Sequence, residues 1–108
     1  MKTVENIKLD HISAERLLQI SMVLKTIANP VRLKIVLILI QQGESTVGDL
    51  KEQLDIEQSL LSHHLSNLRM NGVISTRKVG RSIFCQIQKE SVVKVLHCLN
   101  NCPSNNNA

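Results

Sequence analysis

Residues 46–87 contain the pattern that most limits the fold of this chain. A short helix is predicted from a cap at Thr46 to about Leu54, and after a tight turn a second helix is predicted over about 57–70. Two short runs rich in β-branched residues follow, and the turn at Gly80 between them predicts a β-hairpin. A short helix, a brief turn, a second helix and a hairpin together predict a winged helix-turn-helix.

Helical patterns also lie on both sides of this motif. Apolar residues recur at helical spacing over 13–28, and Asn29-Pro30 begins a second helix that should end at Gly43. A last helix is predicted over about 89–100. The predicted fold is therefore mainly α, with about five helices and a two-stranded wing. We expect one domain over 1–102 and a disordered polar tail over 103–108.

The second helix of the motif has a small, polar face opposite its leucines. Small hydroxyl side chains let a helix enter the major groove of DNA and bond to base edges or phosphates. An ordinary solvated face is the alternative, but such faces usually carry more Glu and Lys. The residues predicted on this face are Ser59, Ser62, His63 and Ser66, with Arg69 at its edge.

Positive charge is concentrated on the same segment. Residues 58–89 contain five basic residues and no acidic one, while the whole chain has a net charge of +4. Arg77, Lys78 and Arg81 flank the hairpin tip, where a wing would meet phosphates or a minor groove. The distribution favours duplex DNA as the partner. The single aromatic residue, Phe84, argues against a surface that stacks single-stranded bases.

The adjacent pair His63-His64 is a poor metal site, because neighbouring helical residues do not share a face. We expect His63 to point outward as a DNA contact and His64 to lean toward the core as a packing or capping residue.

The chain shows no secretory signal, its longest apolar run is too short to span a bilayer, and its cysteines are odd in number. A cytoplasmic protein with free thiols is expected.

The stretches ANPVRLKI, QSLLSHHLSNLRMNGVI and RKVGRSIFCQI resemble the ArsR/SmtB family of bacterial winged-helix repressors. The resemblance covers about residues 17–99. It implies a homodimer, joined through the first and last helices, that binds a palindromic operator and represses transcription. By position, the resemblance assigns DNA reading to Gln58, Ser59, Ser62 and His63, and the wing to Arg77, Lys78 and Arg81.

The apolar stripes of the first and last helices permit such a dimer, since two amphipathic terminal helices could bury each other across a two-fold axis. Packing against their own subunit is the alternative for each helix. The residues predicted at the dimer interface are Leu17, Leu18, Leu24, Val92, Val95, Leu96 and Leu99.

Cys98 and Cys102 are four residues apart near the end of the last helix, and Pro103 should place Cys102 just past that end. Two thiolates there could bind As(III), Zn(II) or Cd(II), or undergo oxidation, although further ligands would have to come from elsewhere. The alternative is a regulator with no ligand-sensing thiols. Cys85 in the hairpin is expected to be buried and inert.

The sensing sites that the resemblance implies are mostly absent. The segment ESTVGDL lacks the cysteines of the family's ELCVCDL-like stretch, and only Glu90 and His97 remain of a last-helix zinc or nickel pattern. VRLKIVLILI lacks the cysteine of persulfide sensors. Cysteines clustered at the C-terminus, as in a minority of arsenic sensors, remain as one alternative.

These observations predict a DNA-binding transcriptional regulator and no enzyme. A dithiol oxidoreductase is disfavoured, because Cys98 and Cys102 lie at a helix end, where the helix dipole raises rather than lowers a thiol pKa. A second alternative is a protein-interaction module that kept the winged fold but lost DNA binding. The basic segment argues against that alternative.

Overall fold

The structure, a computed structural model, describes residues 12–101. The predicted order of elements is confirmed over this range, and the predicted tail at 103–108 lies outside it. The elements are α1 (Ala14–Ile27), α2 (Pro30–Gln42), β1 (Ser45–Thr46), α3 (Val47–Leu54), α4 (Gln58–Met70), β2 (Ile74–Val79), β3 (Ser82–Ile87) and α5 (Glu90–Asn100).

The helix starts follow the capping residues of the sequence. The Ser13 hydroxyl accepts a hydrogen bond from a first-turn N–H of α1, and the Asn29 side chain accepts two from the first turn of α2. Pro30 occupies the first position of α2, where its missing N–H costs nothing. At the other end of α2, Gly43 has a φ of +80°, which a residue with a Cβ rarely adopts.

The two helices of the helix-turn-helix are α3 and α4. The Thr46 hydroxyl accepts from the N–H of Asp49 at 3.0 Å, which begins α3 as predicted. Asp55, in a left-handed conformation with a φ of 53°, ends α3 and turns the chain. Glu57 is the cap of α4, so α4 itself begins at Gln58, one residue later than predicted.

The wing is a three-stranded antiparallel sheet of order β1-β3-β2. Strands β2 and β3 form the predicted hairpin, in which Val79 pairs with Ser82 around the turn at Gly80. The sequence predicted only these two strands. The third, β1, is two residues long and pairs Ser45 with Cys85. A strand this short carries no alternating pattern, so only its distant partner reveals it.

One hydrophobic core lies between the helices and the base of the wing. It fixes α4, because three leucines of that helix are buried in it together with residues from α2, α3 and the sheet. The fully buried side chains are Ile35, Val36, Leu50, Leu61, Leu68, Val73, Ile74 and Cys85. Within residues 12–101, no helix is both long and apolar enough to cross a membrane.

Candidate nucleic-acid interface

Helix α4 separates a buried face from an exposed polar face. Leu61, Leu65 and Leu68 are buried together with His64. On the opposite side Ser59, Ser62 and His63 are exposed and Ser66 is half-buried, while Gln58 and Arg69 are exposed at the edge of this face. The predicted recognition residues therefore lie on one accessible side of a helix whose other side is held by the core.

Asn67 is a member of this face that the sequence analysis missed. Its side-chain nitrogen donates to the His63 backbone carbonyl at 3.0 Å and lies 3.4 Å from Nε2 of the His63 ring. The amide therefore restricts the ring of a predicted DNA contact. The i, i+4 spacing of the two residues was the signal that could have found it.

A carboxylate lies at the start of the same helix. The Ser59 hydroxyl donates to Glu57 Oε1 at 3.3 Å, so one predicted recognition residue already has an acceptor. The acid-free segment of the sequence begins at residue 58, directly after this acid. A negative charge at a helix N-terminus stabilises the helix, and here it also borders the polar face.

Arg77 on the wing is held by a carboxylate. Its Nε and Nη2 donate to the two carboxylate oxygens of Glu44 at 2.8 and 2.9 Å. These hydrogen bonds, with the Arg77 charge, lower the pKa of the Glu44 carboxyl. The guanidinium carbon also lies 4.9 Å from the centroid of the Phe84 ring. Arg77 is therefore ion-paired within the subunit through Nε and Nη2, and its assignment as a DNA contact stays a prediction.

Strand register explains this contact. Arg77 on β2 is paired with Phe84 on β3, and Phe84 is paired with Thr46 on β1. The arginine side chain reaches across the phenyl ring to Glu44, which lies just before β1. The short strand that the sequence did not predict therefore also positions the acid that holds Arg77.

Three other basic residues of this region are exposed and unpaired. Glu44–Arg77 is the one ion pair between residues 12 and 101, so Arg69, Lys78 and Arg81 have no carboxylate within 4 Å in that range. Arg69 lies on α4, while Lys78 and Arg81 lie at the wing tip. Unpaired positive charges therefore lie on α4, which carries the polar face, and on the wing that follows it.

His64 is buried, as predicted, and is 7% exposed. Its Nδ1 accepts a hydrogen bond from Arg32 Nε of α2 at 3.0 Å. Burial, the Arg32 charge and His63 all lower the pKa of His64. In the described part of the chain, no group of three or more His, Cys, Asp or Glu residues is arranged to hold a metal ion.

The cysteines have different environments. Cys85 is fully buried, as expected, and burial raises the pKa of its thiol to about 11. Cys98 is exposed on α5. Cys102, the other predicted sensing residue, lies outside the described residues. The structure therefore gives an accessible thiol at Cys98 and an inert one at Cys85.

Helices α1 and α5 both have exposed apolar side chains. Of the predicted dimer residues, Leu17, Leu18, Leu24, Val95 and Leu99 are exposed. Val92 is instead 4% exposed in the core of its own subunit, and Leu96 is half-buried against that core. Val92 therefore has little surface left for a partner, while the assignment of Leu96 and the exposed residues to a dimer interface stays a prediction. Exposed apolar residues on both helices are compatible with the predicted dimer interface, which stays a prediction.

Comparison with known proteins agrees with this geometry. The family described as "Bacterial regulatory protein, arsR family" matches residues 29–76, which include the helix-turn-helix. A biofilm growth-associated repressor of Agrobacterium fabrum is 35% identical over 79% of this chain and 72% of the relative. The transcriptional activator HlyU of Vibrio cholerae is 38% identical over 70% of this chain and 72% of that protein.

A solved structure extends the likeness to the fold. It is the homodimeric winged helix-turn-helix DNA-binding domain of a possible ArsR-family regulator from Mycobacterium bovis, with a TM-score of 0.75 and 25% identity. The alignment covers 88% of this chain and 91% of that one. The family match, the identity to regulators over most of their length and the shared fold agree. The chain belongs to the ArsR family of bacterial regulatory proteins and is a transcriptional regulator rather than an enzyme.

Proposed function

We propose that the protein is a homodimeric repressor that binds one double-stranded, palindromic operator sequence in the cytoplasm. One observation supports this proposal most directly. Helix α4 has an exposed polar face, and Arg69, Lys78 and Arg81, on α4 and the wing, are exposed without an ion-pair partner among residues 12–101. The face supplies hydroxyl, amide and imidazole groups for base edges, while Arg69, Lys78 and Arg81 supply charge for phosphates.

The exposed apolar residues of α1 and α5 support a two-fold dimer. Leu18 is 61% exposed and Leu99 is 66% exposed. In a two-fold dimer, α1 and α5 of the second subunit would cover both side chains. A dimer presents two α4 helices to successive major grooves, which are about 34–36 Å apart. This spacing is the reason to expect a palindromic site.

Repression is proposed because the Agrobacterium relative is named a repressor, and a dimer covering its operator would exclude polymerase. The Vibrio relative is named an activator, so transcription must be measured to distinguish repression from activation. A reporter assay with the selected operator placed over a promoter should show lower expression when the protein is present. Higher expression would support activation instead.

An inducer acting on thiols is the finer part of the proposal. Cys98 is exposed near the end of α5, where a bound As(III), Zn(II) or Cd(II), or an oxidised sulfur, would alter the proposed dimer helix. Cys98 and Cys102 alone would be an incomplete metal site, so further donors or the partner subunit would be needed. The competing proposal is a regulator with no sensing thiols. Operator affinity of wild type and a Cys98→Ser/Cys102→Ser variant, each with these ions and a persulfide donor, separates the two.

The recognition face is tested by selecting a binding site from random duplexes and measuring the affinity of variants for it. Ser62→Ala/His63→Ala should lose specific binding while remaining dimeric. Gln58→Ala should weaken binding, whereas Gln41→Ala removes a matched exposed glutamine from α2 and should not. A dimer that selects no duplex sequence would instead support a protein-interaction module.

A further inference from the structure

A part-buried polar contact joins the proposed recognition helix to the rest of the subunit. Arg32 Nε of α2 donates to Nδ1 of His64 on α4 at 3.0 Å, and His64 is 7% exposed. The same guanidinium reaches α1, because Arg32 Nη1 donates to the Thr26 carbonyl at 3.5 Å. Arg32 therefore contacts the end of a proposed dimer helix and the buried side of the recognition helix at once.

The contact requires a neutral histidine. A guanidinium Nε can donate a hydrogen bond but cannot accept one, so Nδ1 of His64 must offer its lone pair. The ring proton is then on Nε2. Protonating Nδ1 would remove the acceptor and place an imidazolium against a guanidinium at a part-buried contact, where water screens the repulsion less than at a fully exposed surface.

The charges around His64 reinforce this requirement. From α2 it faces Arg32, and on its own helix it lies beside His63, with ring centroids 5.7 Å apart. The group that α1 contributes to the contact is the neutral Thr26 carbonyl. Glu44–Arg77 is the only ion pair within 12–101, so no carboxylate of that range pairs with Arg32 or His64. Arg32 and His63 therefore both disfavour a positive charge on His64.

The position of the pair links it to DNA recognition. His64 directly follows Ser62 and His63 of the exposed face on the same helix, so a shift of α4 at His64 would also move those residues. A recognition helix must hold its side chains at fixed distances from base edges, because misplaced hydrogen-bond donors lose their energy. A contact that holds the buried face of α4 thus also fixes the position of its exposed polar face.

We propose that Arg32 is a positioning residue for DNA recognition, which holds α4 through neutral His64 and releases it when His64 gains a proton. The proposal rests on the function proposed above and deepens it by making operator binding sensitive to mild acid. Because the pKa of His64 is lowered in the folded protein, its contribution to folding is also complete above about pH 6.5 and is lost as the pH falls toward the folded pKa.

The test compares wild type with His64→Asn across pH 5.5–8.0 at constant ionic strength. The asparagine Oδ1 can take the place of Nδ1 and accept from Arg32, but it does not titrate. Both proteins keep His63, so they differ only at position 64, and the ratio of their dissociation constants reports that difference. Fluorescence anisotropy with the selected duplex measures that ratio, and circular dichroism checks that both proteins are folded at each pH.

The two proteins should bind about equally at pH 7.5, and the wild type should weaken relative to His64→Asn as the pH falls. At pH 5.5 the limit is about elevenfold per subunit, set by an unperturbed imidazole pKa of about 6.5. A rise of threefold or more supports the proposal, and parallel profiles with intact binding overturn it. Absence of specific duplex binding by wild type at pH 7.5 would overturn the proposed function as well.

A second measurement keeps the proposal testable if His64→Asn does not fold. Imidazole ¹⁵N spectra of the wild type report the protonation of each ring nitrogen without DNA. His64 should show an unprotonated Nδ1, a protonated Nε2 and a titration midpoint below the ordinary value for imidazole, about 6.5. In addition, Arg32→Lys should retain more affinity than Arg32→Ala at pH 7.5. A His64 that carries its proton on Nδ1, or that titrates above the ordinary imidazole value of about 6.5, overturns the proposal.

Discussion

The contact between Arg77 and Glu44 predicts how DNA binding responds to salt. Both carboxylate oxygens of Glu44 accept hydrogen bonds from Arg77, at 2.8 and 2.9 Å, and the guanidinium also rests on Phe84. A cation engaged in this way should displace few counterions when DNA binds. Lys78, which has no ion-pair partner among the described residues, should displace them fully.

Three substitutions separate these roles. Each phosphate contact contributes about 0.9 to the slope of log K against log salt concentration, so one contact per subunit gives about 1.8 for a dimer. Lys78→Gln should make the slope shallower by about 1.8, whereas Arg77→Gln should leave it nearly unchanged. Glu44→Gln should free Arg77 and steepen the slope by about 1.8, which is about a twelvefold larger loss of affinity between 50 and 200 mM salt.

The assay is fluorescence anisotropy with the selected duplex over a KCl series. Glu15→Gln is the matched control, because it removes an exposed carboxylate on α1 without releasing an arginine. It should change affinity slightly and leave the slope at the wild-type value. The reasoning is refuted if Arg77→Gln flattens the slope as much as Lys78→Gln, or if Glu44→Gln leaves it unchanged.

Three further predictions follow from burial. Leu61 is fully buried, so Leu61→Ala should lower the free energy of unfolding by about 2–5 kcal/mol in a urea titration; a loss below about 1 kcal/mol would contradict its central position. Leu18→Glu with Leu99→Glu should give monomers by sedimentation, and an unchanged dimer would exclude this surface as the interface. Because the pKa of Cys85 is raised to about 11, iodoacetamide at pH 8 should label Cys98 and spare Cys85 until denaturant is added. Equal labelling of the folded protein, measured by mass spectrometry, would contradict a buried thiol.

Features that depend on near neighbours in the chain could be predicted from the sequence. Asn29 caps a helix through N–H groups two and three residues away, and the buried side of α4 follows from helical spacing of its leucines. His63 outside and His64 inside are consequences of the same geometry. Local chemistry therefore determines most helix boundaries and the choice of the exposed face.

Contacts between distant residues could not be predicted in this way. Glu44 and Arg77 are 33 residues apart, and Arg32 and His64 are 32 apart, so neither pair leaves a periodic signal. Both depend on how elements pack: the first on a two-residue strand, the second on the contact of α2 with α4. The sequence could show that the wing is basic, but only the fold shows which of its cations are free.

The central claim is that a dimer reads the major groove with two α4 helices, and dimethyl sulfate protection tests it most directly. The reagent methylates guanine N7, which lies in the major groove, and adenine N3, which lies in the minor groove. On the selected operator, wild type should protect guanines in two blocks centred about 10–10.5 base pairs apart, or a multiple of that spacing. Ser62→Ala/His63→Ala should lose that protection. A single protected block, or protection confined to adenine N3, would contradict the account.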